Sequence, residues 1–241
     1  MGVIKKKNWD DKIVLSKVDG LLSKFDDGEL FVEEVFSENI LFDDNKVKNA
    51  SYDQDRGFGL RTVKGDSINF YHSSELNEDT LNQGLKSLNT NIKFGCKIKN
   101  NLKSNVNLYE SNNPISMFKL DKKINLLKKI NNYARKFSSA VKQVSISLNG
   151  SYQNIEISKK NGYFSFDSRP LVRLNVNISV EKNGKIETGS FGMGGRYMYD
   201  NLFLSKSWKC AVDNAYNQAK LKLSAKPPPA GEQTVVLGPG W

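Results

Sequence analysis

Residues that could bind a transition metal or act as nucleophiles are scarce in this chain of 241 residues. It contains one histidine, His72, and two cysteines, Cys96 and Cys210, which lie far apart in sequence. A zinc site usually needs three or four such ligands converging on one point. The cysteine spacing also matches neither a disulfide framework nor a paired metal-binding motif. A metal site built from this chain alone would therefore have to use carboxylates, and His72 is interpreted as an ordinary residue of an edge strand.

Three arginines are better candidates, for recognition rather than catalysis. Lysine outnumbers arginine 30 to 6 in the chain, yet Arg169, Arg173 and Arg196 lie in one short segment. A guanidinium group can hold a carboxylate or a carbonyl through two parallel hydrogen bonds, which lysine cannot do. We therefore expect these arginines to contact a substrate or a partner. The structural alternative is that Arg169 and Arg173 pair with Asp167 or Glu187 and pin strands.

A glycine-rich run follows the same segment. Gly192, Gly194 and Gly195 lack side chains, so another main chain could approach closely there. The run does not end in the lysine and hydroxyl residue of a phosphate-binding loop. The alternative interpretation is a tight turn. The candidate contact residues are Arg169, Arg173, Gly192, Gly194, Gly195 and Arg196.

The elements that must position these residues mix helix and strand patterns. Apolar residues at helical spacing predict helices over 9–25, 75–88, 121–137 and 205–223. Asp121 is the predicted cap of the third helix, and the lysine pairs 122–123 and 128–129 are placed mostly away from its apolar stripe. Segments rich in β-branched and aromatic residues predict five short strands over 29–73, interrupted at DDNK, DQDRG and KGD, and further strands from Val141 onward. Asn183-Gly184 predicts a hairpin turn.

These patterns predict an α+β fold of two mixed domains, each with a mainly antiparallel sheet and flanking helices. We place the first domain at residues 1–93, a linker at 94–118 and the second domain at 119–226. Residues 227–241 contain a predicted strand, Thr234–Leu237, which is typical of the start of a further domain. The sequence has no apolar run long enough to cross a membrane and no signal-peptide pattern, so we expect a cytoplasmic protein without membrane contact.

The net charge of +10 raises the question of nucleic-acid binding. The charge is uneven: residues 1–80 carry 11 Lys+Arg and 17 Asp+Glu, whereas residues 81–160 carry 15 and 3. The lysines of the middle third show neither aromatic interleaving nor an arginine cluster. A solvated lysine-rich surface is therefore the preferred interpretation, and nucleic acid is not the expected partner.

Three separated blocks resemble one known family. The segment DSRPLVRLNVNISVEKNGKIETGSFGMGGR, residues 167–196, closely resembles the central segment of the TldD branch of the TldD/PmbA metallopeptidases. PPAGEQTVVLGPGW, residues 228–241, resembles the segment immediately before the catalytic helix of that branch. DGELFVEE and DQDRGFGLRTVKGD resemble parts of its amino-terminal domain. The blocks occur in the family's order, and the resemblance covers roughly residues 26–241.

The resemblance implies a zinc peptidase, but one whose metal ligands lie elsewhere. In the family, two histidines of a His-Glu-x-x-x-His motif and a later cysteine hold the zinc, and the glutamate is the general base. That motif begins a few residues after the glycine-tryptophan pair at 240–241. Neither Cys96 nor Cys210 matches the ligand cysteine, so no catalytic or metal-binding residue carries over. Zinc is expected in the complete family protein and not in this chain alone.

The resemblance thus implies an amino-terminal portion of a TldD-like metallopeptidase. Such a portion would shape the substrate cleft and a dimer interface, and would be inactive by itself. Its expected partners are a small or unfolded peptide and either a second copy or a PmbA-like subunit. The alternative is a non-catalytic protein that binds peptides or a partner.

Overall fold

The computed structural model describes Ile4 and residues 9–88, 101–102 and 108–239. The helices in these residues are α1 (Asp11–Leu22), α2 (Glu78–Leu88), α3 (Leu120–Arg135), α4 (Asp200–Phe203) and α5 (Ser205–Ser224), with a short 3₁₀ helix at Ile115–Met117. The strands are β1 (Asp27–Asp43), β2 (Lys46–Lys64), β3 (Ser67–Ser73), β4 (Asn101–Leu102), β5 (Val141–Lys159), β6 (Tyr163–Lys182) and β7 (Lys185–Gly195). The predicted α+β class is confirmed. Cys96, much of the predicted linker and residues 240–241 lie outside the described residues.

All the strands join one sheet, in the order β3-β2-β1-β5-β6, with β7 and the short β4 both pairing with β6. Neighbouring strands are antiparallel except for β4. Tight turns connect β1 to β2, β2 to β3, β5 to β6 and β6 to β7. The predicted turn at Asn183-Gly184 is confirmed, with φ of 52° and 76° at its two residues. Positive φ at both positions is what a two-residue turn needs to match the twist of its strands.

The first β region contains three strands rather than the five predicted. Positive φ at Asp44 and Asn45 makes the turn at DDNK, but β1 continues unbroken on one side of it. After this turn, the prediction that DQDRG interrupts the strand is wrong, because β2 runs through it. Asp53 and Asp55 are exposed positions within β2. Long pairing with β1 overrides the low strand propensity of aspartate, because each added residue completes hydrogen bonds to a strand already in place.

The described helices all lie on one face of the sheet, and the opposite face, which none of them covers, is termed the helix-free face. Alternate residues of β1 point to the helix-covered face, and they contribute to two apolar clusters. The N-terminal cluster packs α1 and α2 onto β1 and β2 and contains Leu30, Val32 and Leu60. The C-terminal cluster packs α3 and α5 onto β1, β5, β6 and β7 and contains Ile40 and Leu174. The division into domains at 1–93 and 119–226 stays a prediction, since β1 pairs with strands of both units.

A buried charged network lies beside the C-terminal cluster. Lys123 is only 1% exposed, contrary to the prediction that its lysine pair points mostly away from the apolar stripe. Its Nζ lies 2.7 Å from Glu38 Oε2 and 2.8 Å from the Ile115 carbonyl oxygen. Tyr199 donates its hydroxyl to the same carboxylate at 3.0 Å, and burial together with Glu38 raises the pKa of Tyr199. A side chain at Gly150 would collide with the Tyr199 hydroxyl, so that glycine makes the network possible.

Two further expectations are corrected. Asp121 does not cap α3: the capping position is Lys119, which makes no side-chain hydrogen bond there, and Asp121 lies in the first turn. Thr234–Leu237 is not a strand, because residues 225–239 form neither helix nor strand and Val236 is 89% exposed. A strand needs a neighbour to complete its hydrogen bonds, and the described part of the chain supplies none at this position. No helix among the described residues has the length and apolar character to cross a membrane.

Candidate functional site

The predicted contact residues gather at the β6–β7 end of the sheet, mostly on its helix-free face. Arg169 and Arg173 alternate with buried residues of β6, so their side chains project from the helix-free face. Gly194 is the register partner of Arg173, and Gly192 is the partner of Asn175. Gly195 pairs with the buried Val172, and Arg196 follows the end of β7. The structure therefore brings the arginines and glycines into one region, although not all onto one face.

Arg173 lies across the space that Gly192 leaves. Its Nε donates a 2.8 Å hydrogen bond to Asn175 Oδ1, and Asn175 in turn donates to Ser147 Oγ. A Cβ atom on Gly192 would lie 2.6 Å from Asn175 Oδ1 and 2.7 Å from Arg173 Nη2. The predicted pairing of Arg173 with a carboxylate is not seen among the described residues, and Glu187 pairs with Lys185 instead. The exposed guanidinium can therefore receive a carboxylate or carbonyl.

Arg169 and Arg196 belong to a second group, centred on Tyr109. Arg169 donates to Asp167 at 2.6 Å, and the Tyr109 hydroxyl donates to the same oxygen at 3.0 Å. The expected pairing of Arg169 with Asp167 is thus seen, but both residues belong to β6, so it does not pin one strand to another. The Arg196 guanidinium carbon lies 5.5 Å from the centre of the Tyr109 ring, which is within range of a cation–π contact. These side chains adjoin a cavity of about 220 Å³ on the helix-free face.

The charges of this group tune its protonation. Burial, and then the hydrogen bond to Asp167, raises the pKa of Tyr109. The hydrogen bond from Arg169 to Asp167 raises the pKa of that guanidinium further. Both shifts keep the Tyr109 phenol and the Arg169 guanidinium protonated at neutral pH. Tyr109 was not predicted, because it lies in the segment interpreted as linker and no local pattern links it to β6.

Helix α5 closes part of the outer edge of β7. Gln218 Oε1 accepts a 2.6 Å hydrogen bond from the Ser190 N–H, and Lys222 Nζ donates at 2.7 Å to the Thr188 carbonyl. In a strand, alternate residues direct both backbone groups to the same edge. Thr188 and Ser190 are therefore the outward-facing residues of this part of β7, and α5 caps one backbone group on each.

Gly189 is what lets α5 come this close. A Cβ atom on Gly189 would lie 2.0 Å from the Ala215 carbonyl oxygen and 2.4 Å from the Ala219 nitrogen. The small residues 215 and 219 thus pack directly on the strand, and the same helix carries Gln218 and Lys222 out to its edge. Within the described structure the caps stop there, and Gly192 is the next residue whose backbone faces outward. The edge of β7 is closed at Thr188–Ser190 and open at the glycines.

The described residues contain no group of three or more histidine, cysteine, aspartate or glutamate side chains able to hold a metal. His72 lies on edge strand β3, with its ring 5.9 Å from the Phe70 ring. Cys210 is exposed on α5, where its sulfur accepts a hydrogen bond from Asn214. The donor set in this part of the chain therefore does not fit a catalytic zinc site, and no step through a metal follows from it.

Comparison with family models gives two matches. Residues 28–88 match the PmbA/TldA metallopeptidase domain 1, and residues 113–223 match the PmbA/TldA metallopeptidase central domain. The glycine edge and the three arginines all fall inside the second match.

Curated relatives match over nearly the whole chain. A metalloprotease TldD homolog of Haemophilus influenzae is 34% identical over 225 residues, which are 90% of this chain and 47% of the relative. A second TldD homolog, from Buchnera aphidicola subsp. Acyrthosiphon pisum, is 32% identical over 228 residues, with the same two coverages. The chain thus spans about half the length of the curated relatives it matches.

Solved structures share the fold at low sequence identity. A putative modulator of DNA gyrase from Thermotoga maritima has a TM-score of 0.70 at 13% identity and covers 92% of this chain and 50% of its own. TldE from Thermococcus kodakarensis has a TM-score of 0.65 at 13% identity, covering 86% and 47%. At these identities the likeness concerns the fold alone.

Proposed function

Since this chain belongs to the PmbA/TldD metallopeptidase family, we propose that it is the scaffold portion of a TldD-like zinc metallopeptidase. In this proposal it forms one wall of the substrate cleft and part of a dimer interface. The zinc ligands and the general base belong to a separate portion, which supplies the metal-activated water. The half-length match to the TldD homologs supports this division of labour.

The open glycine edge of β7 is the single observation that carries the substrate role. An extended peptide could add to this edge as a further strand, with main chain bonded to main chain. Caps from α5 at Thr188 and Ser190 limit such addition to the stretch beginning at Gly192. Because main-chain bonds ignore side-chain identity, this mode suits a peptidase for small or unfolded peptides. Arg173 lies next to the open stretch, where it could hold a carbonyl or the terminal carboxylate of the peptide.

A peptide-binding titration tests the edge directly. A fluorescent peptide of alternating Thr and Val is compared with two versions that are N-methylated at alternate residues, in one register or the other. N-methylation removes the donor without changing the side chain. We expect one methylated register to bind at least about tenfold more weakly and the other to bind normally, since only alternate residues bond to an edge. Equal binding of both methylated peptides would contradict strand addition.

The catalytic division needs a separate measurement. Bound zinc and cleavage of a quenched fluorescent peptide are measured for this chain alone, and again after fusion to the second half of the Haemophilus influenzae relative. We expect zinc and turnover only in the fusion protein. Stoichiometric zinc together with turnover in the short chain would contradict the scaffold role. Peptide binding without turnover in either protein would favour the alternative, a non-catalytic peptide-binding protein.

The partner is also part of the proposal. We expect this chain to pair with an identical chain or with a PmbA-like subunit, and we place the protein in the cytoplasm. Sedimentation of the purified chain, alone and mixed with such a subunit, distinguishes the two partners. A monomer under both conditions would remove the dimerisation role.

A further inference from the structure

A groove of about 310 Å³ lies on the helix-free face, at the edge of the sheet opposite to β7. Gly57 and Gly59 of β2 form its floor. On the β1 side the register places Glu33 opposite Gly57 and Phe31 opposite Gly59. On the β3 side stands Phe70, beside His72. The groove is far from Arg173 and the β7 edge, and it shares no residue with them.

Gly59 lets the Phe70 ring lie against β2. It has no positive φ, so the backbone conformation does not require glycine there. A Cβ atom at Gly59 would lie 3.0 Å from the Phe70 ring, so a side chain there would displace that ring. Gly57 is explained differently, because a Cβ atom there would press on the Ser73 carbonyl. The row of side chains on β2 therefore has a gap between Asp55 and Arg61.

The side walls of the groove are aromatic. Phe70 is 61% exposed on an edge strand, where a large apolar side chain gains little from burial. Phe31 stands across the gap, on the β1 side. Aromatic faces carry negative charge density and attract cations, with guanidinium and ammonium groups the usual partners. These walls can cover the aliphatic stem of a long side chain and also contact its charged end.

Two carboxylates, Glu33 and Asp55, line the groove. Asp55 is opposite Val35, so it is a diagonal neighbour of Glu33 across the β1–β2 pair. Among the described residues neither forms an ion pair with a lysine or arginine, although Glu33 accepts a hydrogen bond from Gln153. Arg56 also borders the groove, but its hydrogen bond to Asp55 comes from its backbone N–H.

At the other end of the same face, carboxylates are neutralised by arginine and lysine. There Arg61 lies 3.0 Å from Asp27 and 3.3 Å from Glu29, and Lys159 also contacts Glu29. The contrast leaves a local excess of negative charge at the groove. An anionic ligand would be repelled, and too few metal-binding side chains converge there in the described structure to hold a metal ion. Charge complementarity therefore selects a cationic organic group.

We propose that this groove binds a lysine or arginine side chain of an extended polypeptide. The stem would lie between Phe31 and Phe70, with the charged end at Glu33 and Asp55. This inference goes beyond the proposed function, because it assigns side-chain recognition to the β3 edge. The β7 edge, by contrast, would recognise only main chain.

A matched pair of peptides tests the proposal. A fluorescent peptide of Thr and Val with a central arginine is compared with the same peptide carrying citrulline, which has nearly the same shape and no charge. We expect the arginine peptide to bind roughly tenfold more tightly, and the ratio to fall at high salt because part of the attraction is screened. Glu33→Gln and Asp55→Asn should each reduce the ratio by about threefold or more. Phe70→Ser should do the same by removing a wall.

Asp66→Asn is the control, since Asp66 is an exposed acidic residue in the β2–β3 turn, and it should leave the ratio unchanged. Each variant is first compared with the original protein by circular dichroism and thermal unfolding. Equal binding of the arginine and citrulline peptides would overturn the proposal. So would an unchanged ratio in the Glu33→Gln/Asp55→Asn double variant. The N-methylated peptides test binding at the β7 edge separately, so the result for one proposed site does not decide the other.

Discussion

At the scale of single residues, several glycines are explained by what would occupy their Cβ position. Gly189 lies against the α5 backbone, Gly192 under Arg173, and Gly150 against the Tyr199 hydroxyl. None of these three needs a positive φ. Each of these glycines leaves room for a neighbouring group, and none is needed for backbone flexibility. The glycine-rich run is therefore an ordered strand with close neighbours, and the tight-turn alternative does not describe residues 189–195.

Gly189 gives the sharpest test of this explanation. Gly189→Ala should destabilise the protein by about 2–4 kcal/mol, because the new methyl group meets backbone atoms that cannot rotate away. Denaturant unfolding measures the change. Gly20→Ala is the control: nothing lies within 4 Å of its Cβ position in α1, so alanine should stabilise by up to about 1 kcal/mol. Equal stability of the two variants would contradict the assignment.

The buried pair of Lys123 and Glu38 makes a second prediction at this scale. Lys123→Met should cost about 3–5 kcal/mol, because it leaves the Glu38 carboxylate buried without its cation. The double variant Lys123→Met/Glu38→Leu should recover much of that loss, since no buried charge then remains. Unfolding free energies of the two single variants and the double variant give the coupling directly. If the double variant lost the sum of the single losses, the two side chains would not be acting as a pair.

At the scale of elements, α5 does two things for β7. Its small residues pack on the strand at Gly189, and its Gln218 and Lys222 cap the strand edge. An uncapped edge is a template for pairing with another chain. The helix therefore decides which part of β7 stays open to a peptide.

Removing the caps should lengthen the open edge. Gln218→Ala/Lys222→Ala should raise the affinity for an extended Thr-Val peptide by about threefold or more, or else increase self-association, because Thr188 and Ser190 regain free backbone groups. Fluorescence anisotropy and sedimentation velocity report the two outcomes. Lys220→Ala on the same helix is the control and should change neither. Unchanged peptide affinity and unchanged sedimentation in the double variant would show that the caps do not restrict the edge.

At the scale of the whole molecule, β1 connects the two apolar clusters. It pairs with β2 along one side and with β5 along the other, and it places Leu30 in the N-terminal cluster and Ile40 in the C-terminal cluster. If β1 separates from one cluster, apolar surface in the other cluster also becomes exposed. Two clusters on one shared strand should therefore behave as one cooperative unit.

Core truncations test this cooperativity. Leu60→Ala in the N-terminal cluster and Leu174→Ala in the C-terminal cluster should each cost about 2–5 kcal/mol and shift one common transition. Trp9 packs against the first cluster and Trp208 is buried in the second. Variants that keep one of these two and also carry Trp241→Phe therefore report each cluster separately. We expect the two fluorescence transitions to coincide. Separate midpoints, with each truncation affecting only its own cluster, would instead support two independent domains.

Much of this arrangement could be predicted locally. The helices over α1, α2, α3 and α5 follow from apolar spacing, and the Asn183-Gly184 turn follows from its need for positive φ. The family resemblance rests on blocks of adjacent residues, and the family models confirm it. The candidate arginines and glycines were found because unusual residue types cluster in sequence. All of these features depend on neighbours within about one helical turn or one hairpin, which are adjacent in any conformation of the chain.

What the sequence alone determined is therefore the α+β class, most elements and the family. The tertiary structure decided which distant residues of the chain contact one another. The pairing of β1 with β5 joins residues more than 100 positions apart, and no local pattern encodes it. The same holds for Lys123 with Glu38, for Tyr109 with Asp167, and for the groove between Phe31 and Phe70. A lysine in an amphipathic pattern is expected in solvent, unless a carboxylate from a distant strand compensates its burial. Such contacts exist only after the sheet has formed, because the sheet alone brings these side chains within reach of one another.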